Sequence, residues 1–599
     1  MSSHTILVCN GTGCIANGAK LVTQALEVAV AAAGADAKIE TYLKCTGCHG
    51  LCESGPMVKI KPDDIAYYKV HPWHAVKIVQ ALGKDPVMSL LYRDEDKKCW
   101  PHLNDNPFFA KQVKVALRNV GEIDPLVIED YLSRDGYQAL TKIITEKTPP
   151  DVLIQEVIDS RLRGRGGAGF PTGRKWKSAA AYQSYPKYVI CNGDEGDPGA
   201  FMDGYIMEGD PHSVIEGMII AAYAIGAQRG YLYIRDEYIF AQKNMKEALT
   251  QAKAHGYLGN NILGSDLSFE LTIMSGGGAF VCGESTALIA SIEGRAGEPR
   301  AKYIRSAERG LWGQPTLLNN VETLANIPPI ILHGGAKFSE LGTERSGGTK
   351  AFSLVGKVNR TGLVEVAMGT TLRELIFEIG GGVKGGRDFK AVQTGGPSGG
   401  CIPLELIDLQ VDFDSLIKQG AMMGSGGMIV MDEFDCMVEV ARYYVHFLAE
   451  ESCGKCTPCR EGLRHMLSIL TDITEGRGQQ GDIEVLQVLC DTMLDASLCA
   501  LGKSAPNPVL STIRHFRHEY DAHINEHRCP AGVCTELTTF SIDPENCTRC
   551  KACKKACPVG AVMGDAHTPY SIAAEACIAC GACRDVCRFD SVYSVKRQS

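Results

Sequence analysis

Eight cysteines crowd the C-terminal end of the chain as Cys547, Cys550, Cys553, Cys557 and Cys577, Cys580, Cys583, Cys587, two copies of C-x2-C-x2-C-x3-C. A [4Fe–4S] cube needs four thiolates, and these short spacings let one loop wrap three of its corners. In paired runs of this kind the fourth cysteine ligates the other cluster. The expected sets are therefore Cys547, Cys550, Cys553 with Cys587, and Cys577, Cys580, Cys583 with Cys557. Pro558 follows the first run, whereas Arg588 stands at the matching place after the second; the ligand set is unaffected. A disulfide or zinc framework would use the same residue types, but the doubled spacing sets it aside. Such a segment folds around inorganic clusters and carries electrons.

The rest of the composition agrees with a redox chain. The 599 residues are enough for several domains, and 25 of them are Cys. Met1–Lys20 has no basic start followed by an apolar core, so the reading is cytoplasmic, where thiols serve as cluster ligands more than as disulfides. No apolar run approaches the roughly 18 residues of a membrane span. A net charge of −9 argues against nucleic acid as the main partner. Any membrane is met through another subunit.

At the N-terminus, strand-like Thr5–Cys9 leads into a Cys9/Cys14 loop and a helix around Ala19–Ala33. A second strand, Ile39–Leu43, leads into Cys45, Cys48 and Cys52. Two cysteine pairs on loops after strands can present four thiolates to one [2Fe–2S] rhomb. This resembles the thioredoxin-like ferredoxin domain, and the assignment is Cys9, Cys14, Cys48 and Cys52, with Cys45 spare. A redox pair of Cys45 with Cys48 leaves the other three unexplained.

After a charged connector with helical pieces such as Pro107–Asn119 comes the densest glycine cluster, Arg163–Trp176, containing Gly164, Gly166 and Gly169. G-x-G-x-x-G alone is weak evidence. It follows a helix-like stretch, Asp151–Leu162, and lacks a G-K-[ST] ending, so it is no P-loop. Bare amides here can approach phosphate or a flavin closely, with Lys175 as a nearby cation. Strand Lys187–Cys191 runs into the acidic turn Asn192–Gly199, and strand Leu271–Met274 feeds Ser275–Gly278 and a helix starting near Glu284. Strand, glycine loop and helix is the geometry that places a dinucleotide at a helix N-terminus.

Cys453, Cys456 and Cys459 give C-x2-C-x2-C at a helix start, and their fourth partner must come from afar: Cys499, or Cys490 on the apolar face of Val485–Leu494. Cys99, Cys191, Cys282, Cys401 and Cys436 are most simply buried small hydrophobes. Between this region and the C-terminal runs lies His527-Arg-Cys529-Pro-Ala-Gly-Val-Cys534. With Cys490 it offers three thiolates and an imidazole, a closed zinc site of structural type, with His523 as an alternative to His527. Such a site would pin the base of an arm that swings or holds a set angle. A linker with two free thiols is the alternative.

Gly164–Trp176, Asn192–Phe201, Gly277–Leu288, Gly313–Thr323 and Cys453–Gly462 together resemble the NADH-binding flavoprotein subunit of respiratory complex I, over roughly residues 110 to 515. The resemblance implies that Gly164, Arg165, Gly166, Gly167, Gly169, Lys175, Asn192, Asp194, Asn319 and Asn320 bind FMN. It places the nicotinamide on the flavin, near Phe170, Glu195, Asp197 and Lys302, and adds Phe280, Gly283, Glu284, Ser285 and Arg305 as cofactor contacts. It also makes Cys499 the fourth ligand of the bundle cluster. The implied fold class is multidomain α/β. In order come a thioredoxin-like [2Fe–2S] domain (1–90), a connector (91–145), an α/β FMN domain (146–345) and a ubiquitin-like β-grasp domain (346–435). A helical bundle with one [4Fe–4S] cluster (436–520), a linker with the zinc candidate (521–540) and a bacterial 2[4Fe–4S] ferredoxin domain (541–599) follow.

The whole arrangement is similar to the beta subunit of multimeric NAD(P)-linked [FeFe]-hydrogenases, several of which bifurcate electrons between a nicotinamide and ferredoxin. Related chains serve NAD(P)-dependent formate dehydrogenases. The resemblance implies a diaphorase subunit working with a hydrogenase (or formate dehydrogenase) catalytic subunit, a small thioredoxin-like [2Fe–2S] subunit and ferredoxin. An electron relay without its own nicotinamide chemistry is the alternative. One departure bears on cofactor choice. Where the complex I family has C-G-E-E-T, this chain has Cys282-Gly-Glu-Ser285-Thr, and Pro299–Arg305 adds cations. Losing an acid near the ribose and gaining arginines tilts the expectation from NAD to NADP(H).

Overall fold

The computed structural model describes residues 3–34, 40–301 and 303–597. The chain divides into two units: residues 1–386 with 393–396 and 405–430, and residues 387–392 and 397–404 with 431–599.

The first unit begins with a four-stranded sheet in the order β2-β1-β3-β4, formed by β1 (Ser3–Cys9), β2 (Glu40–Thr46), β3 (Val58–Lys61) and β4 (Ile65–Tyr67). β1 and β2 are parallel, Ser3 opposite Glu40 through Cys9 opposite Thr46. Parallel neighbours need a crossover, and helix Ala19–Gly34 supplies it, burying Val22 and Leu26 against Ile6, Val8 and Ile60. Both strands thus end at the same edge, which is where the cysteine loops begin.

The helix expected over Pro107–Asn119 is confined to Pro107–Ala110. Beyond it the buried carboxylate of Glu365 accepts hydrogen bonds from the N–H groups of Val115, Ala116 and Leu117 at 3.0, 2.9 and 2.8 Å. Donors that a helix would use on its own carbonyls are taken by that carboxylate, so the segment stays irregular.

A second sheet is wholly parallel: β5 (Tyr188–Gly193), β6 (Arg229–Arg235), β7 (Glu270–Gly276) and β8 (Thr316–Asn320), in the order β8-β5-β6-β7. Val189, Ile190, Cys191, Leu232 and Ile234 are fully or almost fully buried, as expected of strands covered on both faces. Helix Pro211–Ile225 is buried along nearly its whole length and anchors the core. The register sets Asn192 beside Asn320 and beside Tyr233, so the loops after β5 and β8 leave from one edge. β9 (Thr349–Gly356) then pairs antiparallel with β10 (Gly362–Ala367) and parallel with β11 (Gly427–Asp432).

The second unit carries helices Met437–Glu451, Thr457–Thr474, Asp482–Ala496 and Asn507–Asn525. Its C-terminal part is closed by the antiparallel pair β12 (Thr538–Ile542) and β13 (Val592–Lys596). Between them lie two short helices, Ala552–Ala556 and Ala582–Asp585, one inside each cysteine run. No helix among the described residues is long and apolar enough to cross a membrane.

Candidate flavin pocket and thiol clusters

The glycine loop closes on itself through Gly164 N–H donating to Phe170 O at 2.9 Å. Gly169 has φ +61, and a Cβ there would stand 2.4 Å from the Phe413 ring. A Cβ on Gly166 would come within 2.8 Å of Asn320. The loop therefore lies against the carboxyl end of β8, an approach that only bare backbone permits. Gly167 forms a bridge to Gly424.

The Arg165 guanidinium is engaged by the protein itself. Its side chain is fully buried and donates to the carbonyls of Arg163, Gly347 and Thr349 at 3.1, 2.7 and 2.9 Å. Burial lowers its pKa to about 10. It fastens the loop from behind. Lys175 Nζ donates to Leu318 O at 2.9 Å, at β8.

Four expected contacts are held in place by protein partners. Asn192 accepts from Asp194 N–H at 3.1 Å and donates to Gly283 O at 3.0 Å. Asn320 donates to Asp203 at 2.5 Å and caps helix Val321–Ala325 through Thr323 N–H. Asn319 accepts from Trp176 Nε1 at 3.0 Å, while its own buried Nδ2 has no hydrogen-bond partner among the described residues. A buried donor without a partner at the carboxyl edge of a parallel sheet fits a ligand carbonyl, and the glycine cradle beside it fits a flat ring.

The nicotinamide contacts fall differently. Glu195 is buried with its carboxylate on Asp203 N–H, Gly204 N–H and Tyr238 Oη at 3.1, 3.1 and 2.9 Å, so it tethers helix Met202–Gly209. Asp197 accepts from Ser425 Oγ at 2.6 Å, and burial pushes its carboxyl up to about 6. Phe170 is 46% exposed. Phe280 packs beside Gly196. Glu284 caps helix Ser285–Ile292 by accepting from Thr286 and Ala287 N–H, and Ser285 opens that helix. Arg305 is exposed, and Lys302 lies outside the described residues.

The thiols gather in groups. Cys9 Sγ and Cys14 Sγ are 3.0 Å apart, and Cys48 lies within bonding reach of both Cys9 and Cys52. A Cβ on Gly55 would stand 2.5 Å from Cys14 Sγ, so the loop is shaped to the sulfurs. Cys45 is half-buried on β2, beside Thr23 and Asn10. In the bundle, Cys453, Cys456 and Cys499 lie near Cys459, whose thiol is pushed up to about 11, chiefly by burial. Cys490 is buried elsewhere, 3.6 Å from Met466 Sδ. At the C-terminus one cavity is lined by Cys547, Cys550, Cys553 and Cys587. A second is lined by Cys577, Cys580, Cys583 and Cys557. Each cavity thus brings three cysteines of one run beside the fourth cysteine of the other.

Family models match along the chain in the same order. A thioredoxin-like [2Fe–2S] ferredoxin matches residues 1–83, the Nuo51 FMN-binding domain 157–329, and an SLBB domain 350–430. The NADH-ubiquinone oxidoreductase-F iron–sulfur binding region matches 439–523, and a 4Fe–4S dicluster domain 539–588. The NADP-reducing hydrogenase subunit HndC of Solidesulfovibrio fructosivorans is 53% identical over 80% of this chain and 98% of its own length. The F-2 member of the NADH-quinone oxidoreductase of Rhizobium meliloti (strain 1021) is 47% identical over 69% of this chain and 99% of its own. The chain belongs to this family of NAD(P)H-dehydrogenase flavoproteins. A crystal structure of an NAD+-reducing [NiFe]-hydrogenase in the H2-reduced state superposes with TM-score 0.61 at 30% identity, covering 88% of this chain and 84% of that one.

One group in this diaphorase chain differs from its expected composition. Cys436, His523, Cys529 and Cys534 are all buried, with ligand atoms within 4.8 Å of one another. His523 Nε2 is 3.5 Å from Cys436 Sγ and 3.3 Å from Cys534 Sγ, while its Nδ1 sits 2.7 Å from Glu519 O. That carbonyl fixes the tautomer whose Nε2 lone pair faces the thiols. Cys529, beside Cys436 and Cys534, has its pKa lowered by hydrogen bonds from both. Cys490 and His527 are therefore excluded from the group. His527 is exposed with φ +48, beyond the end of helix Asn507–Asn525. Cys436, expected as a small hydrophobe, takes the fourth corner from the start of helix Met437–Glu451.

Proposed function

We propose that the chain exchanges hydride with NAD(P)(H) at FMN and passes single electrons to a hydrogenase catalytic subunit and to ferredoxin, by flavin-based bifurcation. The observation that carries this reading is the meeting of the Gly164–Gly169 loop with Asn319 and Asn320 at the carboxyl edge of the parallel sheet. Bound FMN supplies the conversion between a two-electron hydride and one-electron steps. The protein's part is to hold the ring and the nicotinamide in register and to align the clusters. Gly164, Gly166, Gly167 and Gly169 admit the ring, Asn319 offers a donor, and Phe170 and Phe280 flank the nicotinamide side. No side-chain acid or base is assigned.

The cluster ligands follow from the thiol groups. Cys9, Cys14, Cys48 and Cys52 hold the [2Fe–2S] centre; Cys453, Cys456, Cys459 and Cys499 hold one [4Fe–4S]. Cys547, Cys550, Cys553, Cys587 and Cys577, Cys580, Cys583, Cys557 hold two more. We read Cys436, His523, Cys529 and Cys534 as a structural zinc site, supported by their burial, mutual distances and ligand types. The nucleotide is NADP(H): Ser285 leaves the start of its helix without a second acid, and the Solidesulfovibrio hydrogenase relative is named as NADP-reducing. The other partner is a small thioredoxin-like [2Fe–2S] subunit, as in the hydrogenases the chain resembles.

The test is dye reduction by NADPH and NADH with the purified chain, followed by denaturation and analysis of the released flavin. Dye reduction with about one FMN per chain is expected. Absence of both would leave only an electron-relay role.

A further inference from the structure

The two cysteine runs of the ferredoxin-like tail differ in one systematic way. Aligned on their cysteines, residues 545–555 and 575–585 share Glu545 with Glu575 and a cation, Lys554 or Arg584. Their charge differs at three positions: Arg549 against Ala579, Lys551 against Gly581, and Lys555 against Asp585. The backbone is the same in both halves. Arg549 has φ +60 and Ala579 +53; Lys551 has φ +66 and Gly581 +74. A left-handed conformation favours glycine, which the second half uses. The first half keeps a lysine there, at a conformational cost, and an arginine two residues before it.

The second half is turned toward the rest of its unit. Arg584 stacks on Phe434, 4.0 Å from the ring centre, and donates to Ala531 O at 3.0 Å, while Asp585 pairs with Arg387 at 3.2 Å. The first half makes no such anchor among the described residues. Arg549, Lys551 and Lys555 are exposed, and among the described residues their side chains form no hydrogen bond, ion pair or ring contact. Cys550 between them is exposed, and Arg549 lines the cavity of Cys547, Cys550, Cys553 and Cys587. Phe589, 47% exposed, lines the same cavity, and exposed Arg588 stands between it and Cys587 in the chain.

We infer that the face around Cys550 is the docking surface for an acidic, one-electron carrier protein, and that the cluster beneath it is the exchange terminus of the tail. A ring of unpaired cations around an exposed ligand steers an acidic partner to the point where the cluster is nearest the surface. Phe589 gives the contact an apolar centre inside a charged rim. Each encounter moves one electron: the carrier is oxidised as the cluster is reduced, or the reverse, with no bond made and no proton transferred. The inference rests on ferredoxin being a partner of this chain, and it assigns that partner to one half of the tail.

The test exchanges the three first-half residues for their second-half counterparts in the full, cluster-loaded chain: Arg549→Ala, Lys551→Gly and Lys555→Asp. The backbone already tolerates these residues at the matching positions. Binding of a purified acidic 2[4Fe–4S] ferredoxin is measured against salt. The variant is expected to bind at least tenfold more weakly at low salt, with a flatter dependence on salt concentration. EPR of both tail clusters and dye reduction by NADPH report separately on folding and on the flavin reading. Wild-type affinity and salt dependence in the variant, or no binding of the acidic carrier by the wild-type chain, would overturn the inference even with dye reduction intact.

Discussion

Arg165 shows how far a side chain's partners can lie from the motif that singles it out. A cation inside a glycine loop reads as a phosphate ligand, yet here three carbonyls surround it. The partners at Gly347 and Thr349 are 182 and 184 positions away, so no local pattern announces them. Glu195 is a similar case, an acid whose oxygens are occupied by a helix start. Ser285 is the opposite case, because its meaning lies in what is missing. A carboxylate there would accept a ribose hydroxyl and repel a 2′-phosphate. The double variant Ser285→Glu with Arg305→Phe is expected to move the ratio of kcat/KM for NADPH over NADH toward NADH by about tenfold, roughly 1.4 kcal/mol. An unchanged ratio would mean that these two positions do not read the phosphate.

At the scale of elements, the cysteine runs were legible because each is local: spacing alone orders the thiols around a cube. The strands ending in cysteines and the helix Ala19–Gly34 followed from the same short-range pattern. The thiol–imidazole group was only half legible. Cys529 and Cys534 sit on one loop, but Cys436 is 98 positions from Cys534 and reads locally as a buried small residue. His523 over His527 is decided by where the helix stops, since His523 lies on it one turn after Glu519 and faces inward, whereas His527 lies beyond its end. One sequence signal did mark Cys436: it stands immediately before a helix, where a thiol can reach a neighbouring loop. Elemental analysis of protein purified without chelators should find about one zinc per chain, retained after the flavin is stripped. Cys436→Ser should lose most of that zinc while all iron remains, whereas Cys490→Ser should keep it. Zinc-free protein with full iron would return the four residues to a buried thiol cluster.

At the scale of the whole molecule, the order of modules is written plainly, because each carries its own motif and the family models fall in the same sequence. The connector is not, because its irregular path is imposed by Glu365 from far along the chain. Central to the proposed function is that this chain turns a two-electron donor into single electrons held on its own clusters. The most direct measurement is an anaerobic titration with NADPH of the chain alone, with about 14 irons and one FMN confirmed beforehand, followed by EPR. Flavin bleaching is expected to be accompanied by reduced [2Fe–2S] and [4Fe–4S] signals, and Cys52→Ser is expected to remove only the [2Fe–2S] signal. Flavin bleaching with every cluster left oxidised, or reduction that requires a second donor, would contradict it.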